Sequence, residues 1–259
     1  MKDEIIIIFE DNDLLVINKP AGITVNRSET TKIEQTVQDW AEERLGLEKF
    51  ESSHNQSPKF GEEGWDPQLD YFKRGGIVHR LDKETSGVLV IAKNPSAFVN
   101  LQDQFKERAV KKTYIALAHD IIKPSQGEIS VPVGRLPWNR NRFGVLPGGR
   151  DSKTLYTVLE YYLFRENKER LTLLELYPQS GRTHQIRVHL KYINHPIFSD
   201  YLYAGRKTAR RDRKFLERVF LHASSITFFH PETKKNLTFE AKLPLLLSDF
   251  LKKLETLSL

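Results

Sequence analysis

The sequence has 259 residues, 39% hydrophobic and 29% charged, which is enough apolar material for a sizeable core and too much for a disordered chain. It contains no cysteine, which excludes disulfides, thiolate metal sites and cysteine nucleophiles and fits a reducing, cytoplasmic setting. Lys plus Arg number 40 against 34 Asp plus Glu, a formal net charge of +6, which favours an anionic partner such as nucleic acid. No run approaches the roughly 20 apolar residues of a membrane helix, and the isoleucines after Met1-Lys2-Asp3-Glu4 are too few for a signal peptide.

Residues 5–9 and 14–17 are β-branched runs separated by Glu10-Asp11-Asn12-Asp13, predicting two short strands and a polar turn, closed by Lys19-Pro20-Ala21-Gly22. Val37, Trp40, Ala41 and Leu45 recur at helical spacing and predict a helix over 36–45. Between 48 and 73 the periodicity is lost in a polar stretch containing Pro and Gly, which predicts a loop insertion. Strands are expected at 76–78 and 88–92, with 79–87 as the loop between them. Asn94 as cap and Pro95 as first helical residue predict a helix running to about 108.

Further strands are expected at 113–118, 128–131, 154–162 and 171–176. Ile186, His189, Leu190 and Ile193 recur at i, i+3, i+4 and i+7, predicting a helix over 182–193 with Arg182 one turn before Ile186 on the same inward face. Residues 225–229 and 237–240 flank His230-Pro231-Glu232-Thr233 as a hairpin, and a closing helix follows Pro244. The elements show no regular βα repeat. They predict an α+β fold, a mixed, mostly antiparallel sheet with flanking helices and a central cleft, built as one domain over 1–259.

The loop at 79–87 gathers His79, Arg80, Asp82, Lys83, Glu84, Thr85 and Ser86. Read from the residues alone, it is either a charged hairpin loop whose Asp82 accepts backbone hydrogen bonds or a catalytic loop fixed at the edge of a rigid sheet. Its wording, Arg80-Leu81-Asp82 followed by Thr85-Ser86-Gly87, resembles the signature loop of the RluA-type pseudouridine synthases. Lys112-Thr113-Tyr114 is similar to that family's Lys-x-Tyr strand, and Gly181-Arg182-Thr183-His184-Gln185-Ile186-Arg187 with His195-Pro196 to its third segment. The opening strands with Lys19-Pro20-Ala21-Gly22, and Leu221-His222-Ala223 with His230-Pro231, resemble its first and last. The likeness runs in order over residues 5–245.

The resemblance implies an RNA pseudouridine synthase that uses no cofactor and acts on ribosomal or transfer RNA. It implies Asp82 as a buried catalytic carboxylate, acting as nucleophile at C1′ or as base toward the 2′ position, kept ionised by Arg182. Tyr114 would pack against the target base, Arg80 would fill the gap left by the flipped nucleotide, and His79, Ile186 and Leu221 would line the substrate site, the last two mainly as core. Arg135, Arg140, Arg142 and Arg150, interleaved with Trp138 and Phe143, suit phosphate pairing and base stacking. The run 206–214 reads equally as an RNA contact or a solvated helix face. The expected partner is RNA, with no membrane and no metal, and the expected state a monomer.

Two departures stand out. The family's Gly-Asp after His-Pro is Ser199-Asp200 here, and the sequence opens on the catalytic strands without a small N-terminal RNA-binding module, which puts substrate choice on the catalytic domain and its loops. Rival chemistries have no seat. His184 and His189 are too far apart in register to share a helix face, and neither His-Glu-x-x-His, Gly-x-Ser-x-Gly nor a phosphate-binding Gly-rich loop occurs. The remaining competitor is a non-catalytic RNA-binding protein with the same fold.

Overall fold

The opening β-branched runs form β1 (Ile6–Glu10) and β2 (Leu14–Lys19), an antiparallel pair whose turn is held by Asp11, its Oδ1 accepting the N–H groups of Asp13 and Leu14. The computed structural model describes residues 4–27, 34–48, 60 and 62–258. After the hairpin come α1 (Val37–Leu45), α2 (Pro67–Arg74), β3 (Ser86–Ala92) and α3 (Pro95–Lys106). Then follow β4 (Lys111–His119), β5 (Gln126–Ser130), β6 (Val133–Leu136), β7 (Asn139–Val145), β8 (Lys153–Phe164), β9 (Glu169–Pro178), α4 (Gln185–Tyr192) and α5 (Arg206–Asp212). The chain closes with β10 (Leu221–Phe229), β11 (Asn236–Glu240), α6 (Leu245–Leu251) and β12 (Glu255–Thr256). Every strand pair of known register is antiparallel, as expected for the α+β class.

The chain divides into two compact units, Met1–Val110 with Ile226–Ala241, and Lys111–Ser225 with Lys242–Leu259. In the first, β1, β2 and β3 lie side by side, and the second half of β10 forms a hairpin with β11. Leu14, Val16, Val88, Val90 and Ala92 share a core with Ala97, Phe98 and Leu101 of α3. The neighbours of opposite parity, Leu15, Ile17, Leu89 and Ile91, are buried too, so these strands read as continuous apolar runs. Each such side chain removed from water contributes about 1.5–3 kcal/mol.

Local signals set the helix ends. Thr36 and Asp39 cap α1 reciprocally, Asn94 Oδ1 accepts the N–H of Ala97 at the start of α3, and Asp66 caps α2 at Gln68 and Leu69 with Pro67 in the first turn. Helix α2 corrects the expectation of a loop through 73, because Asp66-Pro67 is the same start signal as Asn94-Pro95. Residues 49–59 and 61 of that expected insertion lie outside the described residues. The strand expected at 76–78 reduces to one bridge, Ile77 to Ile91. Here Gly76 comes so close to β3 that a Cβ would lie 2.1 Å from Ala92 O.

In the second unit the order is β4-β9-β8-β12, with β5 on β8 and the start of β10 beside β4, where Ser224 Oγ donates to Thr113 O. Its core joins Leu117, Leu174 and Leu176 of the sheet to Ile186 and Leu190 of α4 and to Phe164, Phe198, Phe220 and Phe250. Strands β6 and β7 form a separate two-stranded sheet inside the basic stretch, where no element was expected.

Two buried histidines are held in opposite charge states. His119 lies between Glu169 and Asp212, 2.9 Å from each. Burial alone pushes it down, but the two acids outweigh this and raise its pKa to about 9. His189 sits among Ser152 Oγ, Thr154 Oγ1 and Val131 O, where desolvation lowers its pKa to about 4. The His119 contribution is fully present below its ordinary 6.5 and is lost as pH rises through about 9. Stability tied to His189 is lost as pH falls from 6.5 toward about 4. Urea unfolding from about pH 4 to about pH 8, below the range in which the buried Lys112 titrates, is therefore expected to show maximal stability near neutral pH, with His119→Gln flattening the alkaline limb only. An alkaline limb unchanged in that variant would refute the assignment.

Candidate active site

The loop entering β3 carries Asp82 and is clamped through backbone groups. Lys83 O accepts the N–H of Gly22 at 2.7 Å and the ammonium of Lys19 at 3.3 Å, and Asp82 O accepts the N–H of Thr85 at 3.0 Å. Lys19 is 0% exposed, and its Nζ also donates to Pro20 O at 2.7 Å and Ile23 O at 2.9 Å. An ammonium that deep in the protein is tolerable only with its donors spent on oxygens. Lys19 thereby ties the Lys-Pro-Ala-Gly segment to the carbonyl that follows Asp82.

Within the same loop Asp82 is half-buried, not the enclosed acid expected from the resemblance, and Arg80 is exposed. His79 is committed to the fold. Its Nε2 accepts the N–H of Val90 at 2.9 Å and its ring stacks on Phe105, so it supports the loop instead of offering that nitrogen to a substrate.

The second unit holds the other expected residues. Tyr114 lies half-buried on β4 opposite Leu176, packed against the core, and Ile186 and Leu221 are core members. Lys112, two positions earlier on β4, donates to Ser180 O at 3.2 Å, and burial lowers its pKa to about 8. Arg182 precedes α4. His184 at the helix start takes φ +57, so Arg182 is not on the helical face of Ile186 as the spacing predicted; it lies within 3.4 Å of Asp151 O.

Gln185 fixes the loop that carries Arg182. Its Oε1 accepts Ser180 Oγ–H at 2.7 Å and Arg182 N–H at 3.1 Å, and its Nε2 donates to Lys153 O and Thr154 Oγ1. A further buried group lies beside it. Arg187 pairs in a two-pronged fashion with Asp200, which also accepts the N–H groups of Leu202 and Tyr203. The Tyr203 hydroxyl meets His184 Nδ1 at 2.8 Å and accepts Phe143 N–H at 3.1 Å, tying β7 to the start of α4.

The Ser199-Asp200 departure is resolved in this region. Ser199 adopts φ +63, the left-handed conformation in which a glycine is at ease, and is held by Ser199 Oγ donating to Leu216 O and by its N–H on Asp212. The turn is kept, and its serine is tied down by side-chain bonds.

Of the basic residues, Arg135 and Arg150 are exposed, Arg142 is half-buried, and the Arg140 side chain lies outside the described residues. Arg135 stands 5.3 Å over the Phe143 ring, and Trp138 at the hairpin tip is 75% exposed. Among the described residues, Asp11, Asp13 and His230 are grouped closely enough to meet one ion. Their atoms are otherwise engaged, since His230 Nδ1 accepts from Glu232 and Thr233, its Nε2 meets Asp11, and Asp13 accepts from Asn94. The group is a turn clamp.

Residues 13–192 match the family of RNA pseudouridylate synthases. The chain belongs to that family. Ribosomal large subunit pseudouridine synthase D of Neisseria meningitidis serogroup B is 36% identical over 245 residues, covering 92% of this chain and 58% of that protein. An uncharacterized RNA pseudouridine synthase of Helicobacter pylori is 36% identical over 252 residues, covering 96% and 70%. The solved structure of human RNA pseudouridylate synthase domain containing 1 superposes with a TM-score of 0.72 at 26% identity, covering 100% of this chain and 91% of that one. The chain thus spans somewhat under three fifths of the Neisseria protein's length.

Sequence reasoning missed Lys19 and Gln185 as supports. Lys19 could have been found from strand parity, since it shares a face with Leu15 and Ile17. Gln185 carries no signal apart from its place before Ile186. Gln185→Leu should lower stability by about 2–3 kcal/mol, because it leaves several buried donors and acceptors unpaired; an unchanged urea midpoint would show that the loop is held by other means.

Proposed function

We propose that this chain is an RNA pseudouridine synthase that isomerises uridines in folded RNA, with Asp82 as its catalytic carboxylate. Membership in the family supports the reading, and the backbone clamp on the Asp82 loop carries it for this chain: a group that must meet one atom of a substrate needs a fixed loop. The reaction breaks the N1–C1′ bond, turns the base and forms a C5–C1′ bond; the C5 proton leaves to water and N1 takes one up. Atoms and electrons balance, so the reading calls for no cofactor, metal or group donor.

Asp82 acts either as nucleophile at C1′ or as base toward the 2′ position, and both routes use the same oxygen atoms. In this reading Arg182 keeps Asp82 ionised and Tyr114 meets the extruded base, which requires the three to serve a single uridine. Withdrawing a base from its stack costs a few kcal/mol, and the exposed Arg80 is suited to fill the gap. Arg135, Arg140, Arg142 and Arg150 are assigned to phosphates and Trp138 to a stacked base. The chain is read as a single catalytic domain, in a cytoplasmic monomer. Large-subunit ribosomal RNA is the first substrate to test, because the Neisseria relative is named for it; transfer RNA is the second.

Incubation with an RNA transcript tritiated at uridine C5 is expected to release label into water. Bound RNA with no release would point to a non-catalytic RNA-binding protein. Asp82→Asn should abolish release while leaving RNA affinity within a few fold, since phosphate contacts supply most of it. Undiminished release from that variant would remove Asp82 from the mechanism.

A further inference from the structure

We propose that the outer face of α5 is a second contact surface for the RNA backbone, an inference that rests on the substrate class assigned above. The run 205–214, Gly-Arg-Lys-Thr-Ala-Arg-Arg-Asp-Arg-Lys, holds six cations and one acid. Its local excess of five compares with a net charge of +6 for all 259 residues, so nearly the whole positive imbalance of the protein is concentrated in ten residues.

The fold directs that charge outward. Asp212, the single acid, is 0% exposed and is consumed inside, on His119 at 2.9 Å, on Ser199 N–H at 3.2 Å and on Arg211 at 3.4 Å. Arg211 turns toward Glu169 at 2.7 Å. Arg206, Lys207, Arg210 and Lys214 are exposed and have no carboxylate partner among the described residues. Arg206, Lys207 and Arg210 recur at i, i+1 and i+4, within roughly a 100° arc of the helix surface, and Lys214 follows two residues past its end.

Such an arrangement opposes its own helix. Arg206 and Arg210 are a like-charge pair at i,i+4, which disfavours the helix. Arg206 and Lys207 also place positive charge at the helix N-terminus, where the macrodipole disfavours it, and Gly205 offers no side-chain cap. The helix is retained by the buried anchoring of Asp212. A bound polyanion relieves the repulsion.

Phosphodiester is the anion that the chemistry fits. The guanidinium fork matches phosphate oxygens in pairs, and two exposed aromatics bracket the run in sequence, Tyr201 at 62%, with Arg213 5.8 Å from its ring, and Phe215 at 38%. Arginines beside aromatic rings offer both a phosphate ligand and a stacking platform.

The test replaces Arg206, Lys207, Arg210 and Lys214 together with Gln, in the full chain, against an in vitro transcript of a large-subunit ribosomal RNA fragment. A control variant removes the same charge elsewhere, at the exposed Lys168, Lys235, Lys242 and Lys253. Each phosphate contact contributes about 0.7–0.9 to the slope of log affinity against log salt. The α5 variant is expected to flatten that slope by about 3 and to bind at least about tenfold more weakly near 0.1 M salt. Its KM should rise with kcat on saturating RNA unchanged, and its thermal midpoint should be equal or higher, since repulsion has been removed.

A slope equal to that of the unmodified protein, or an equal loss in the control, overturns the proposal. So does a variant that loses binding to phosphatidylserine vesicles while its RNA slope is unaltered. Tritium release by the unmodified protein separates the two readings. A flattened slope without any release leaves the surface in place and removes the enzymatic assignment, whereas release with an unaltered slope does the reverse.

Discussion

A lysine with no access to water, its ammonium shared among three backbone carbonyls, is the interaction on which the Asp82 loop depends. Hydrogen bonds from a charged donor contribute about 1.5–3 kcal/mol, but the larger effect is the penalty for leaving such a group unpaired. Any movement of the Lys83 carbonyl takes an acceptor from a cation that has no solvent to replace it. Gly22 N–H on the same carbonyl and Thr85 N–H on that of Asp82 close the loop from either side. A carboxylate can therefore stand half-exposed and still have a fixed backbone.

The second unit uses buried polar side chains in the same way. Gln185 spends both ends of its amide on the loop of Arg182 and on β8, and Asp200 gathers Arg187 and two N–H groups at a turn where Ser199 holds a left-handed backbone. These groups add little net stability over a well-packed apolar core. They are intolerant of displacement, since each broken contact leaves a buried donor or acceptor unpaired. Such rigidity suits the role proposed for the Arg182 loop.

Charge is distributed by the same logic. His119, Glu169, Arg211 and Asp212 form an internal network that anchors α5, and the remaining cations of that helix face water. One acid turned inward both secures the helix and leaves its outer side uniformly positive.

The sequence by itself determined the class of the fold, most strands, the cap of α3 and the family, because apolar β-branched runs, cap chemistry and the loop wording around Asp82 are all local in the chain. Helix α2 was legible in Asp66-Pro67, although the polar surroundings masked it, and β6–β7 lacked the apolar alternation that marks a core strand. Only the tertiary structure decided that His79 serves Val90 and Phe105, that Arg182 stands before its helix, and that Lys19 and Gln185 hold the two loops. Those roles arise from hydrogen bonds between residues up to 64 positions apart, and a side chain's choice among distant backbone partners leaves no periodic trace in the order of residues.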